Sequence, residues 1–181
     1  MREEPIYLVA YDPAWPQRFR HERAELAQVL GPWLAGPIEH IGSTAVAGVL
    51  AKPVIDIMAG VADLVASRPA RAAAATLGYE YFPYRPEVMH WFCKPSPARR
   101  THHLHLVPVG SPLWADRLAF RDYLRSCPAA AAEYAALKRG LAARYAFDRE
   151  AYTDAKGAFV AAMLKRARAG LGPPGGGAPA V

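Results

Sequence analysis

The stretch IEHIGSTAVAGVLAKPVIDIMAGV, residues 38–61, decides how this chain is read. Residues 38–41 form a short β-prone run that ends in Gly42-Ser43, a loop of small residues follows to Lys52, and residues 53–59 resume as a second, apolar strand. Glycine at such a turn lets the backbone approach a ligand closely, and the hydroxyls and amides of Ser43 and Thr44 can hold phosphate oxygens. Lys52 adds a positive charge at the far end of the loop. Asp56 interrupts a strand that is otherwise apolar, where an unpaired carboxylate is costly. It therefore marks a binding or catalytic site, or else an acceptor paired with backbone N–H groups, Lys52 or an arginine.

The same reading extends outward in both directions. Residues 6–11 are β-prone, and Asp12-Pro13 has the form of a helix start, with the carboxylate as N-cap and proline in the first helical position. That helix is expected to run to about residue 30 before Gly31-Pro32, with Trp15, Phe19, Leu26, Val29 and Leu30 near helical spacing as its core stripe. Beyond the central segment come an alanine-rich helix over 67–77, closed by Gly78, and three strands over 79–82, 88–94 and 102–107. From Trp114 the pattern turns helical, over about 114–126, 128–145 and 149–169. The fold class is thus α/β (α+β), a single domain over residues 1–170 with a strand-rich part to about 110 and a helical part packed on it. Residues 171–181, rich in glycine and proline, are expected to be a disordered tail with too little apolar surface to offset the entropy of ordering.

Composition narrows the class of partner. The formal charge of +6 favours anionic partners such as nucleotides, phosphorylated metabolites or RNA, although an arginine-rich solvated surface gives the same sum. No basic run interleaved with aromatics occurs, so a dedicated nucleic-acid module is not indicated. The opening MREEPIYLVAYDPAW lacks the apolar core of a signal peptide and the acid-free face of a transit peptide, which predicts a cytoplasmic protein. No apolar run approaches the roughly 20 residues of a membrane span. Cys93 and Cys127 are too few for a disulfide framework or a thiolate metal site, and read as small buried hydrophobes.

Three further constellations carry chemistry. In RRTHHLHLV, residues 99–107, alternation along a strand puts His103 and His105 on one face, where two imidazoles can hold one divalent ion or one phosphate group. His-x-His also occurs on ordinary strand faces, and Arg99 and Arg100 can bind phosphate or simply solvate a turn. Tyr152 and Lys156 fall one helical turn apart and can reach an acidic substrate together, as can the same pair on any amphipathic helix. Arg85 and His90 are candidates for the rim of the site.

YDPAWPQRF near the start, IEHIGSTAVAG followed by AKPVIDI, RTHHLHL, SPLWADRLAFRDYLR and EAYTDAKGAFV together resemble the GrpB family, which is placed in the nucleotidyltransferase superfamily and also occurs fused to dephospho-CoA kinase. The resemblance spans nearly the whole chain except the tail. It implies a nucleotidyltransferase-like mixed sheet flanked by helices, with a helical C-terminal region over a cleft. Enzymes of that superfamily follow a Gly-Ser turn with an Asp-x-Asp or Asp-x-Glu strand and a third carboxylate, which hold two magnesium ions on a nucleoside triphosphate. Gly42 and Ser43 match the turn and Asp56 the first carboxylate, but Met58 stands in the second position and His103 or His105 in the third. One carboxylate with imidazoles suits two magnesium ions poorly, since magnesium needs several hard oxygen ligands and imidazole suits manganese, zinc or iron better.

The expectation is a metal-assisted nucleotidyl or phosphoryl transferase acting on a nucleotide and an acceptor. Asp56, Ser43 and Lys52 carry the chemistry, while Gly42, Ser43, Thr44, Lys52, Arg100, Tyr152 and Lys156 hold the phosphorylated substrate. Asp56, His103 and His105 bind a divalent metal, magnesium or manganese, with zinc as an alternative. The alternative from another class is a catalytically degenerate nucleotide- or metabolite-binding module, linked through the kinase fusions to coenzyme A metabolism.

Overall fold

A computed structural model describes residues 5–170. Five strands form one mixed sheet: β1 (Leu34–Ile41), β2 (Ile55–Val61), β3 (Glu80–Phe82), β4 (His90–Pro95) and β5 (Arg100–Pro108), in the spatial order β1-β2-β5-β4-β3. β2 and β5 run parallel at the centre, and every other pair is antiparallel. The helices are α1 (Trp15–Leu30), α2 (Ala70–Ala75), α3 (Pro112–Ser126), α4 (Pro128–Arg144), α5 (Arg149–Asp154) and α6 (Gly157–Arg168). This is the mixed sheet flanked by helices that the family resemblance implies. No described helix is long and apolar enough to cross a membrane.

The central strands are apolar on both faces because both are covered. Ile55, Ile57 and Ala59 of β2 and Leu104 and Leu106 of β5 pack with Trp15, Phe19, Leu26 and Leu30 of α1 and with Ala70 and Ala74 of α2. On the other face Met58 and Val107 pack with Ile41, Met89 and Trp114 of α3. A third cluster joins Val46 and Val49 of the β1–β2 loop to Tyr123, Tyr134 and Met163 of α3, α4 and α6. Strand alternation therefore divides the polar residues of the central strands. His102 faces Glu22 of α1 at 3.8 Å, whereas Asp56, His103 and His105 face the helical part.

Several local expectations are corrected. Residues 6–11 make no strand: only Val9 pairs, through a two-bond bridge to Ala51, because Pro53 lacks the N–H that would continue the ladder. Asp12 is not the N-cap. Its Oδ1 accepts from Ala14 N at 2.8 Å in a tight turn, and α1 starts at Trp15 with Pro16 in its first turn. The alanine-rich helix is shortened to α2, flanked by turns, and Gly78 closes it at φ +81°. The helix expected over 149–169 breaks before Gly157 into α5 and α6, glycine being a weak helix former. Cys93 and Cys127 are buried and unbridged, as expected. The expected tail, residues 171–181, lies outside the described residues.

Candidate functional site

The loop between β1 and β2 opens with a turn that needs glycine. Gly42 adopts φ +71°, and a Cβ there would come within 3.0 Å of the Asp56 Cβ and Cγ, so the close approach of turn and carboxylate excludes any side chain. Gly42→Ala is expected to lower stability by about 2–4 kcal/mol, from the left-handed backbone plus the displacement of Asp56. Urea unfolding of the two proteins measures this, and equal midpoints would refute it.

Ser43–Ala45 then form one 3₁₀ turn. Thr44 is buried, and its hydroxyl donates to Val54 O at 3.3 Å and meets His40 Nε2 at 3.0 Å, tying the loop to β1 and to the entry of β2. The His40 ring stacks on Phe19 at 4.7 Å, and burial holds its pKa down at about 4. Arg121 and Arg125 of α3 donate to His40 O and Ala45 O, which fixes the loop against the helical part.

A cavity of about 610 Å³ opens over this loop, between the sheet and helices α3 to α6. Its wall carries Lys52, Lys138, Lys156, Arg99, Arg100, Arg117 and Arg149, and among the described residues its only carboxylate is Asp56. Gly42, Ser43, Thr44, Lys52, Asp56, Arg100, His103, Tyr152 and Lys156, all predicted from the sequence, come together there. His105 lies behind the wall, buried, with Nε2 3.9 Å from Asp56 Oδ1. Arg85 and His90, predicted for the rim, do not line the cavity. Arg85 pairs with Glu87 at 3.8 Å, and His90 is buried between Arg71 and the Leu64 carbonyl, because its register opposite Leu106 turns it to the α1 face.

Asp56 and His103 stand side by side on the parallel strands, and His103 Nδ1–H donates to Asp56 Oδ1 at 2.8 Å. Burial alone would raise the Asp56 pKa, but the bond from His103 and the nearness of His105 hold the carboxyl well below the usual range. Burial, opposed in part by Asp56, brings His105 down to about 4, so it is neutral at pH 7. The ring of Tyr152 is buried and contacts two ammonium groups, Lys156 Nζ at 4.2 Å and Lys52 Nζ at 4.8 Å from its centroid. The predicted pairing of Tyr152 and Lys156 thus holds across the helix break.

Lys138 is the most consequential of the lining residues that sequence reasoning missed. It is 2 % exposed, on α4, and its Nζ donates to Ser43 Oγ at 2.9 Å and to Leu50 O. Burial, reinforced by Lys156 and Lys52, brings its pKa down to about 7, and burial reinforced by Lys52 and Arg117 brings Lys156 to about 8. A signal was present: Lys138 falls four residues after Tyr134 on the stripe that also holds Ala131 and Ala135, so it occupies a core position of its helix. Arg117, Tyr134 and Arg149 were missed as well, and nothing in their helical spacing singles them out.

The residues do not fit the pair of magnesium ions that the resemblance implies. Met58 occupies the second carboxylate position fully buried in an apolar cluster, and no group of three His, Cys, Asp or Glu side chains among the described residues is disposed around a common ion. The Nε2 atoms of His103 and His105 are buried without a hydrogen-bond partner among the described residues, so one nitrogen-tolerant ion beside Asp56 is the most that this donor set accommodates.

Fold and site together define a small α+β protein that presents a Gly-Ser turn and one carboxylate to a cationic cavity. The family described as GrpB protein matches over residues 5–166, and the chain belongs to the GrpB family. It is 42% identical to a UPF0157 protein of Pseudomonas aeruginosa, over 92% of this chain and 69% of that one. It is 32% identical to the glutamate-rich protein GrpB of Alkalihalophilus pseudofirmus, over 88% of this chain and 94% of the other. The crystal structure of the conserved protein GrpB from Enterococcus faecalis superposes with a TM-score of 0.80 at 33% identity, over 89% of this chain and 96% of that chain. A chain of the GLD-2/RNP-8 complex shares the fold alone, with a TM-score of 0.53 at 11% identity over 83% of this chain and 60% of its own.

Proposed function

We propose that this chain binds a nucleotide or another phosphorylated small molecule in the cavity over β2 and β5, and transfers a phosphoryl or nucleotidyl group from it to an acceptor. The observation that carries this reading is the charge of the wall: among the described residues, seven cationic side chains converge on about 610 Å³ around a single carboxylate. Burial and mutual repulsion lower the pKa of Lys138 and Lys156 despite the nearby Asp56, and a polyanion relieves that repulsion on entering. A cavity of this size takes a ligand of nucleotide dimensions. In the transfer reading Lys52, Lys138 and Lys156 stabilise charge as it develops on the phosphate oxygens, and His103, oriented by Asp56, takes a proton from the acceptor.

A single divalent ion held by Asp56 with His103 or His105 is the alternative to the base role of His103, and is left to the metal arms of the test. A second reading, binding without transfer, is favoured by Met58, which removes a carboxylate from the place where superfamily enzymes need one. A link to coenzyme A metabolism is a proposal within that second reading.

Thermal unfolding of wild type and Asp56→Ala against nucleoside triphosphates and coenzyme A precursors, with Mg²⁺, with Mn²⁺ and with chelator, separates these readings. The expected result is stabilisation by a triphosphate at millimolar concentration, with release of phosphate or pyrophosphate once an acceptor pool is added. Stabilisation that survives chelation, without turnover, selects the binding reading. No stabilisation by any phosphorylated compound overturns both.

A further inference from the structure

We propose that Ser43 and Lys138 form a nucleophile–base pair, so that Ser43 Oγ takes a phosphoryl group covalently from a phosphoanhydride bound in the cavity. The proposal rests on the phosphorylated-ligand reading of the cavity and adds to it a covalent step that a merely phosphate-binding serine would not take.

The geometry is that of an activated hydroxyl. A weak nucleophile is activated by a base within hydrogen-bond reach, the base being oriented in turn by a third group. Lys138 Nζ lies 2.9 Å from Ser43 Oγ, and the Leu50 carbonyl accepts from the same nitrogen and fixes its direction. The lysine is 2 % exposed and sits 4.6 Å from the centroid of the Tyr134 ring, so solvent does not compete for it. Tyr134 lines the same cavity beside Ser43, while Lys156, Asp56 and Lys52 are the charged groups whose fields reach the lysine. No carboxylate contacts Nζ among the described residues, and with its pKa brought to about 7 a large share of Lys138 is free amine at neutral pH. Ser43 itself lines the cavity, directly after the Gly42 turn.

In the step, Ser43 Oγ attacks the terminal phosphorus. The Oγ–P bond forms as the P–O bond to the leaving phosphate ester breaks, the electron pair departs with that oxygen, and the Ser43 proton moves to Lys138 Nζ. Lys52 and Lys156, both in contact with the Tyr152 ring, neutralise the charge that leaves.

The test uses the full chain and two probes, a biotinylated fluorophosphonate and ATP labelled in its γ-phosphate, with peptide mapping by mass spectrometry. A fluorophosphonate reacts with an activated serine whether or not nucleotide binds: oxygen replaces fluoride on phosphorus and the proton goes to the base. The expected result is one adduct on Ser43 with each probe, absent in Ser43→Ala and at least ten-fold slower in Lys138→Met. ATP should also protect Ser43 from the fluorophosphonate. A Ser43 inert to both probes, or labelled at the same rate in Lys138→Met, overturns the pair even if nucleotides stabilise the protein. Fluorophosphonate labelling that depends on Lys138, with no protection or stabilisation by any nucleotide, upholds the activated serine and overturns the ligand reading instead. Mapping of the wild-type adduct keeps the result decisive should either variant fail to fold.

Discussion

Lys138→Met is expected to raise the stability of the unliganded protein at pH 7 while abolishing its response to triphosphate. Holding the lysine at a pKa of about 7, against an ordinary 10.5, costs the folded state roughly 4–5 kcal/mol at neutral pH, at about 1.4 kcal/mol per unit. The bonds lost to Ser43 and Leu50 return about 1–3 kcal/mol of that. Methionine fills the same channel without a charge to desolvate, so a net gain of about 1–4 kcal/mol is expected.

The sign with pH follows from the depressed lysine. Between about pH 7 and 10.5 the unfolded chain binds more protons than the folded one, so the wild type gains stability as pH rises through that window. The variant gains less, because Lys156 alone of the two still titrates there. The two stability curves therefore cross on the alkaline side, once neutral Lys138 keeps its bonds without its cost. Urea unfolding of both proteins from pH 7 to 10 measures this. A variant less stable than the wild type at pH 7 would show that Lys138 is held by its two bonds and not strained by its charge.

Acid should unfold this protein early, with an even larger free-energy change. His40 and His105 are each held by burial at a pKa of about 4, whereas an unfolded chain titrates them near 6.5. From pH 6.5 down to 4 the unfolded state takes up protons that the folded state refuses, so stability falls with a slope approaching two protons from this pair, to which His90 and His102, also held low by burial, add. The loss is about 3 kcal/mol for each histidine, and the sum rivals the whole stability of a typical domain, about 5–15 kcal/mol. Asp56 does not soften this fall, since its carboxyl titrates well below the ordinary range and keeps its contribution throughout. Circular dichroism with urea at half-unit pH steps reads the slope, and His40→Gln should lower it by about one proton. A stability flat between pH 6.5 and 4.5 would be incompatible with two buried neutral imidazoles.

Much of the site could be read from the chain because strands are written with period two. Asp56 among isoleucines, and His103 and His105 spaced by two, declare their face before any fold is known, and parallel pairing sets Asp56 directly opposite His103. The Gly-Ser turn is legible for a similar reason, since the left-handed backbone at Gly42 is a local demand. What the sequence hides is the contribution of the helices. The stretch EYAALKRG around Lys138 looks like any amphipathic helix, and a lysine there is taken for solvated until the stripe through Ala131, Tyr134 and Ala135 proves to be buried. Residues 6–11 mislead in the opposite direction: their β-propensity is real, but Ala51 offers a partner for one residue only.

The loop after Gly42 has no hydrogen-bonded ladder of its own and depends on residues far along the chain. Ala45 O is held by Arg125 and Leu50 O by Lys138, across sequence separations of 80 and 88 residues. The strand-rich part and the helical part are therefore not separable halves. A fragment ending near residue 110 would carry the whole Gly-Ser motif and Asp56, yet lack the two cations that give the motif its shape. Truncation beyond the sheet would remove the site's geometry while leaving its recognisable sequence intact.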